Sequence, residues 1–193
     1  GYYPRGGGSV ELDVSPVPNG HPLRLETPGA LQEVTADAHV ANLPQHIADR
    51  MCAAAASQLP GTPLRVNAQV LGQDRAVGRG GGLTLAARME HTRLGAAVTA
   101  ERGVPAERLG TQAAQALRAE LASGATLDIH AADQLLLYLA IARGVSAFKV
   151  RELSSHARTT LWLLERLFPI QSRELQQDAL ISVEVHSSYR VRE

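Results

Sequence analysis

The sequence predicts an α/β fold arranged as two units, with helices and strands mixed along the chain rather than segregated. Three observations carry this reading. Residues 31–124 alternate between period-two apolar stretches and helix-period stretches in the order β-α-β-β-β-α. After Gly124 the pattern restarts and runs α-β-α-β-β over residues 125–193. The chain has 193 residues, 45% of them apolar and 20% charged, so it can bury a real core as one large domain or two small ones.

The chain opens on Gly1-Tyr-Tyr-Pro-Arg-Gly-Gly-Gly8, and Val10, Leu12 and Val14 then alternate as strand residues do. Such a strand needs a neighbour. Either the partner follows, or the chain is the downstream part of a longer protein, and the second reading is the one adopted. Residues 16–22 form a Pro/Gly-punctuated linker and a domain boundary.

Residues 31–40 read as a strand. Asn42-Leu-Pro-Gln45 reads as a helix start, with Asn at the cap, Pro in the first turn and Gln three residues on as in a capping box. That helix runs to about Leu59 and stops before Pro60-Gly61; its small face of Ile47, Met51, Ala54 and Ala55 suits close packing on a sheet. Strands follow at residues 64–71, 83–89 and 94–99. Pro105 opens a helix with Leu109, Ala113, Leu117 and Leu121 on one stripe, and Gly124 closes it. The order is thioredoxin-like, without the Cys-x-x-Cys of a redox protein.

The second unit reads as a helix over 131–143 closed by Gly144, a strand over 146–153, a helix over 155–168 ended by Pro169, and strands over 170–175 and 180–185. A sheet with so few strands is marginal alone, which again indicates missing upstream sequence and predicts an uncovered apolar sheet face.

Nineteen basic side chains balance nineteen acidic ones, so bulk charge selects neither nucleic acid nor membrane. Lys149 is the single lysine; arginine forks suit phosphate, although the Ala, Leu and Gly richness of the chain points to codon bias. One cysteine, Cys52, excludes an internal disulfide framework and a Cys-ligated zinc site. No apolar run is long enough to span a membrane and no charged-then-apolar leader opens the chain, so the expectation is a soluble, cytoplasmic protein.

His21, His39, His46, His91 and His186 read as structural or surface residues, and no pair has the helical spacing with a carboxylate that zinc requires. His156 differs. In Glu152-Leu-Ser-Ser-His-Ala-Arg-Thr-Thr160 it falls in the first residues of a helix, where unpaired N–H groups and the dipole favour anions and disfavour a protonated ring. A neutral, nucleophilic imidazole facing phosphate is one reading, with Arg158 and Thr159 a turn away; capping or packing is the other. Asp133-Gln134, after His130-Ala-Ala, heads an apolar helix, either as its cap or as a group presented to a nucleotide. Arg5-Gly-Gly-Gly8 and Arg79-Gly-Gly-Gly82 each precede a strand, not a helix, and read as turns rather than dinucleotide loops. Arg151, Arg158 and Arg166 could contact phosphates or simply form solvated helix faces.

Taken together, five segments resemble the RNA 3′-terminal phosphate cyclase family: the opening Gly1 to Gly8 with its strand, Val40-Ala-Asn-Leu-Pro-Gln-His-Ile-Ala-Asp-Arg50, Leu121-Ala-Ser-Gly124, Ala132-Asp-Gln-Leu-Leu-Leu137 and Ser154-Ser-His-Ala-Arg-Thr-Thr160. The resemblance implies residues 1–22 as the end of a second repeat, 23–124 as an inserted thioredoxin-like domain, and 125–193 as a third, ββαβα-type repeat of the large domain. The N-terminal repeats would be absent from this chain. The implied reaction converts an RNA 3′-phosphate to a 2′,3′-cyclic phosphate with ATP, through a histidine–AMP intermediate and an RNA-adenylate.

In this resemblance His156 is the nucleophile, and His130, Ala131, Ala132, Asp133 and Gln134 contact the adenylate. His130 stands where the family has Tyr; imidazole can still stack. The implied cofactors are ATP and a divalent metal (Mg or Mn), with no metal-binding residue assigned in this chain. The implied partners are RNA 3′-phosphate ends and the N-terminal half of the same protein, in the same or a separate chain. Two alternatives stand beside it: the family's non-catalytic, ribosome-assembly branch, which lacks the histidine, and an inactive C-terminal fragment.

Overall fold

The computed structural model describes residues 1–15 and 20–190; residues 16–19 of the linker reading lie outside the described residues. Two compact units result. The first comprises residues 1–14, 31–88 and 95–119, and the second the described residues of 15–30, 89–94 and 120–193.

The first unit is built on β1 (Leu31–Ala41), α1 (His46–Ser57), β2 (Leu64–Leu71), β3 (Gly80–Met89), β4 (Arg93–Thr99) and α2 (Ala106–Ser123), the β-α-β-β-β-α order read from the sequence. The strands lie in the order β2-β1-β3-β4. β1 and β2 are parallel, with Val34 opposite Leu64, and a parallel pair needs a crossover, which α1 supplies. Alternate residues Val34, Ala36, Ala38 and Val40 of β1, and Leu83, Leu85 and Ala87 of β3, are buried. Ala48, Met51, Cys52 and Ala55 of α1 and Leu109, Ala113 and Leu117 of α2 are buried with them. On the edge strand β2 the alternation holds without the burial, since Val66 and Val70 stay 47% and 45% exposed.

Three local readings are corrected. Residues 10–14 form no strand: Val10, Leu12 and Val14 are 93%, 80% and 70% exposed, and alternation cannot make a strand where no neighbour takes up its backbone hydrogen bonds. Asn42 does not cap α1. It adopts a left-handed backbone (φ 51°), its side-chain Nδ2 donates to the carbonyls of Ala76 and Gly78, and the helix starts only at His46 after Gln45. The second glycine run is strand, not turn, because Gly80, Gly81 and Gly82 begin β3.

Cys52 is free and buried. Burial pushes its thiol up, and the Asp49 and Asp37 carboxylates add to the shift, so no reactive thiolate forms at neutral pH. An aromatic disulfide reagent should therefore leave Cys52 unmodified until the chain is unfolded; prompt native-state reaction would contradict this burial.

The second unit contains α3 (Ile129–Ile141), β5 (Gly144–Val150), α4 (Ser155–Leu167), β6 (Ile170–Gln177) and β7 (Leu180–Ser187). Its sheet runs β5-β7-β6, antiparallel throughout, with Phe148 opposite Val183 and Ser172 opposite Val185. Phe148, Val150, Val183 and Val185 form one apolar core with Leu136, Leu139 and Ala140 of α3 and Ala157, Leu161 and Leu164 of α4. Residues 23–25, placed with the insert in the sequence reading, run alongside β5: Ala147 N–H donates to the Leu23 carbonyl and Leu25 N–H to the Ala147 carbonyl.

Among the described residues the expected uncovered apolar sheet face is only partly present. Of the strand positions that alternate with the core residues, Ala147, Lys149, Ser182 and Glu184 are small or polar, while Leu175 of β6, opposite Ser182, is apolar and 44% exposed. Further exposed apolar side chains lie on the helices, at Leu137 and Tyr138 of α3 and Trp162, Leu163 and Leu167 of α4. Phe148 is 1% exposed at the centre of the unit. Phe148→Ala should destabilise it by about 3–5 kcal/mol. Trp162, the single tryptophan, reports this in urea unfolding followed by fluorescence, where an unshifted midpoint would contradict the packing.

Candidate active site

Ser154 and Asp133 build the site. Ser154 is the N-cap of α4: its Oγ accepts from the Ala157 N–H at 2.9 Å, as a serine before a helix does. The same hydroxyl donates to both oxygens of Asp133, at 2.8 and 2.9 Å. Asp133 is not the cap of α3; that role belongs to Asp128, whose carboxylate accepts from the N–H groups of His130 and Ala131. Asp133 lies within α3, one turn in, and reaches across to the start of α4.

There it meets His156, whose Nδ1 lies 3.4 Å from Asp133 Oδ2. The two side chains differ in exposure, 76% for the histidine and 18% for the aspartate. A carboxylate on Nδ1 favours the tautomer with its proton there, which leaves the Nε2 lone pair facing solvent. The contact is longer than a full hydrogen bond, as such pairs often are without substrate. The imidazole is thus open, oriented, and at a helix N-terminus that attracts anions.

The other candidates separate. His130 and Gln134 are exposed and Ala131 is half-buried, whereas Ala132 is fully buried in the core and has no side-chain surface for a ligand. Arg158 and Thr159 are engaged within the protein: Arg158 contacts Glu174 at 3.2 Å and the Leu153 carbonyl at 2.9 Å, and Thr159 donates to the Ser155 carbonyl. Arg166 stacks on the Trp162 ring at 3.7 Å. Among the described residues no group of three His, Cys, Asp or Glu side chains lies close enough together to hold a metal ion.

The sequence reading missed Glu120. This carboxylate, 4% exposed at the end of α2, contacts Arg151 at 3.1 Å, and Arg151 follows β5 directly on the way to Ser154. The pair is imperfect, because Glu120 Oε2 and Arg151 Nε are buried without hydrogen-bond partners. Burial raises the Glu120 pKa and outweighs the lowering by Arg151. The only signal available was a glutamate on the apolar stripe side of an otherwise amphipathic helix.

The comparisons with known proteins fall into place on this geometry. A family model described as the RNA 3′-terminal phosphate cyclase insert domain matches residues 26–122. A protein named RNA 3′-terminal phosphate cyclase from Nitrosospira multiformis is 53% identical over 95% of this chain and 52% of its own length. Proteins of the same name from Hyperthermus butylicus and Methanopyrus kandleri are each 37% identical over 88% of the chain, and over 49% and 50% of their own lengths. The chain belongs to the RNA 3′-terminal phosphate cyclase family. It spans about half the length of the curated relatives it matches. Among the described residues no helix is long and apolar enough to cross a membrane.

Ser154→Ala should cost about 1 kcal/mol through the lost cap, and it should release Asp133 as well. Thermal unfolding reads the first, and a change in the His156 ring-proton chemical shifts at fixed pH reads the second; unmoved His156 ring shifts would contradict the Ser154–Asp133–His156 arrangement. Glu120 gives a pH prediction. A carboxyl whose pKa is raised on folding contributes its stability fully below the ordinary value of 4.5 and loses it as pH climbs through the raised value. Wild type should therefore lose stability relative to Glu120→Gln as pH rises above 4.5 in parallel urea titrations; a constant difference would contradict the buried carboxyl.

Proposed function

We propose that this chain contributes the adenylate-accepting histidine of an enzyme that converts RNA 3′-phosphate ends to 2′,3′-cyclic phosphates with ATP. The observation that carries the reading is the open His156 imidazole, with Nδ1 toward Asp133 and Nε2 toward solvent at the start of α4. Family membership supports the substrate class.

In this reading His156 Nε2 attacks the α-phosphorus of ATP and expels pyrophosphate, forming a phosphoramidate with AMP. Both ring nitrogens are then substituted or protonated, the ring carries positive charge, and the Asp133 carboxylate offsets it. An oxygen of the RNA 3′-phosphate displaces the imidazole, giving an RNA-adenylate anhydride. The adjacent 2′-OH attacks the activated terminal phosphorus, releases AMP and gives up its proton, and proximity supplies most of the acceleration. His130 and Gln134, exposed beside Asp133 on α3, contact the adenylate; Ala131 contributes backbone only. The alternative of a non-catalytic relative is disfavoured by the presence and exposure of His156. The reading places the protein in the cytoplasm, where ATP and RNA ends are available.

Incubation with α-labelled ATP tests it. The label should be retained through denaturation, lost in acid, and absent from His156→Ala. Asp133→Asn should slow labelling on the order of 10²-fold and alter its pH profile, whereas a merely structural aspartate would leave that profile unmoved. Label retained by His156→Ala would overturn the assignment.

A further inference from the structure

The two Arg-Gly-Gly-Gly runs meet in the first unit. Gly6 N–H donates to the Tyr2 carbonyl at 2.9 Å, folding residues 1–8 back on themselves, and the Tyr2 hydroxyl reaches His39 Nε2 on β1. Glycine is what lets the two segments touch. A Cβ on Gly80 would lie 2.2 Å from the Tyr2 ring, and one on Gly7, at φ 77°, would lie 2.6 Å from Val77. The approach leaves an open cavity of about 830 Å³ whose walls include Tyr3, Arg5, Asn42, Gln73 and Arg79.

The wall is cationic and polar. Neither Arg5 nor Arg79 has an ion-pair partner among the described residues, and Asp74, the carboxylate in the same loop as Gln73, is not on the wall. Tyr3 is 96% exposed, a free aromatic face. Asn42 is held in its left-handed conformation by the Ala76 and Gly78 carbonyls through Nδ2, which leaves Oδ1 to accept from a ligand. Two arginine forks, an exposed ring and the fixed Asn42 amide are the parts from which sequence-tolerant single-strand sites are made, and the volume exceeds what one phosphate needs.

We propose that this cavity binds the phosphodiester backbone of single-stranded RNA, with Arg5 and Arg79 on successive phosphates and Tyr3 stacked on a base. The choice of RNA among polyanions rests on the function proposed above; the site itself is separate from His156. It gives the first unit a task, holding the body of a strand whose end is processed elsewhere.

The test is fluorescence anisotropy with a labelled single-stranded RNA oligonucleotide ending in 3′-OH, without ATP, so that no adenylation is involved. Arg5→Ala/Arg79→Ala should weaken binding at least about tenfold and reduce the slope of log K against log salt by about 1.4, two phosphates at about 0.7 each. Tyr3→Ala should weaken it by about tenfold through lost stacking, and Arg118→Ala, an exposed arginine of α2 away from the cavity, should bind as wild type does. Circular dichroism of each variant verifies that the fold is kept. No measurable RNA binding by wild type at low salt, or an unchanged affinity and salt slope in the double variant, would overturn the proposal. Displacement of the RNA by millimolar ATP would overturn it in favour of a mononucleotide site. Loss of adenylation with RNA binding intact would sink the proposed function and leave this site standing.

Discussion

One hydroxyl links the two helices that carry the candidate chemistry. Ser154 Oγ accepts from the first turn of α4 and donates to the Asp133 carboxylate of α3, and that carboxylate in turn faces His156. Without the serine, α4 would lose a cap, Asp133 would be free to turn to solvent, and the imidazole would have nothing to select its tautomer. The core beneath makes the link rigid. Ala157 and Leu161 of α4 and Leu136 and Leu139 of α3 pack on Phe148 and Val183, so the helix faces away from the site are fixed by burial. The His156 ring stays exposed at the start of α4.

The Glu120–Arg151 pair belongs to the same design, one step further out. A buried carboxylate with an unpartnered oxygen adds little to stability, and removing one member of such a pair costs more than the pair itself contributes. Arg151 directly follows β5 and lies three residues before the Ser154 cap of α4, so the pair anchors the connection between them. Specificity of geometry, rather than net stability, is the better account of why a charge is kept there.

Element order was legible in the sequence because it depends on periodicity, and every helix and strand from residue 31 onward lies close to its apolar pattern. The place of His156 at a helix start was legible because helix starts have a local signature, here Ser154 and Ser155. What the sequence hid was anything set by partners far along the chain. Val10 to Val14 has a strand's pattern but no neighbour. Asn42 has the residue type of a cap, yet two carbonyls more than thirty residues away claim its amide. The glycine runs looked like turns, and their meaning lies in the ring and side chain that press on them from elsewhere. For the same reason the sequence left Asp133 open between a cap and a ligand-facing group: Asp128 fills the cap, and the Ser154 hydroxyl that holds Asp133 lies twenty-one residues on.

The central claim is covalent attachment of AMP to one nitrogen. Peptide mapping by mass spectrometry after incubation with ATP under neutral, non-acidic work-up tests it most directly. The account predicts one adenylyl group on the peptide that contains His156, assigned by fragmentation to that ring. An adenylyl group on any other residue, with the His156 peptide unmodified, would contradict it.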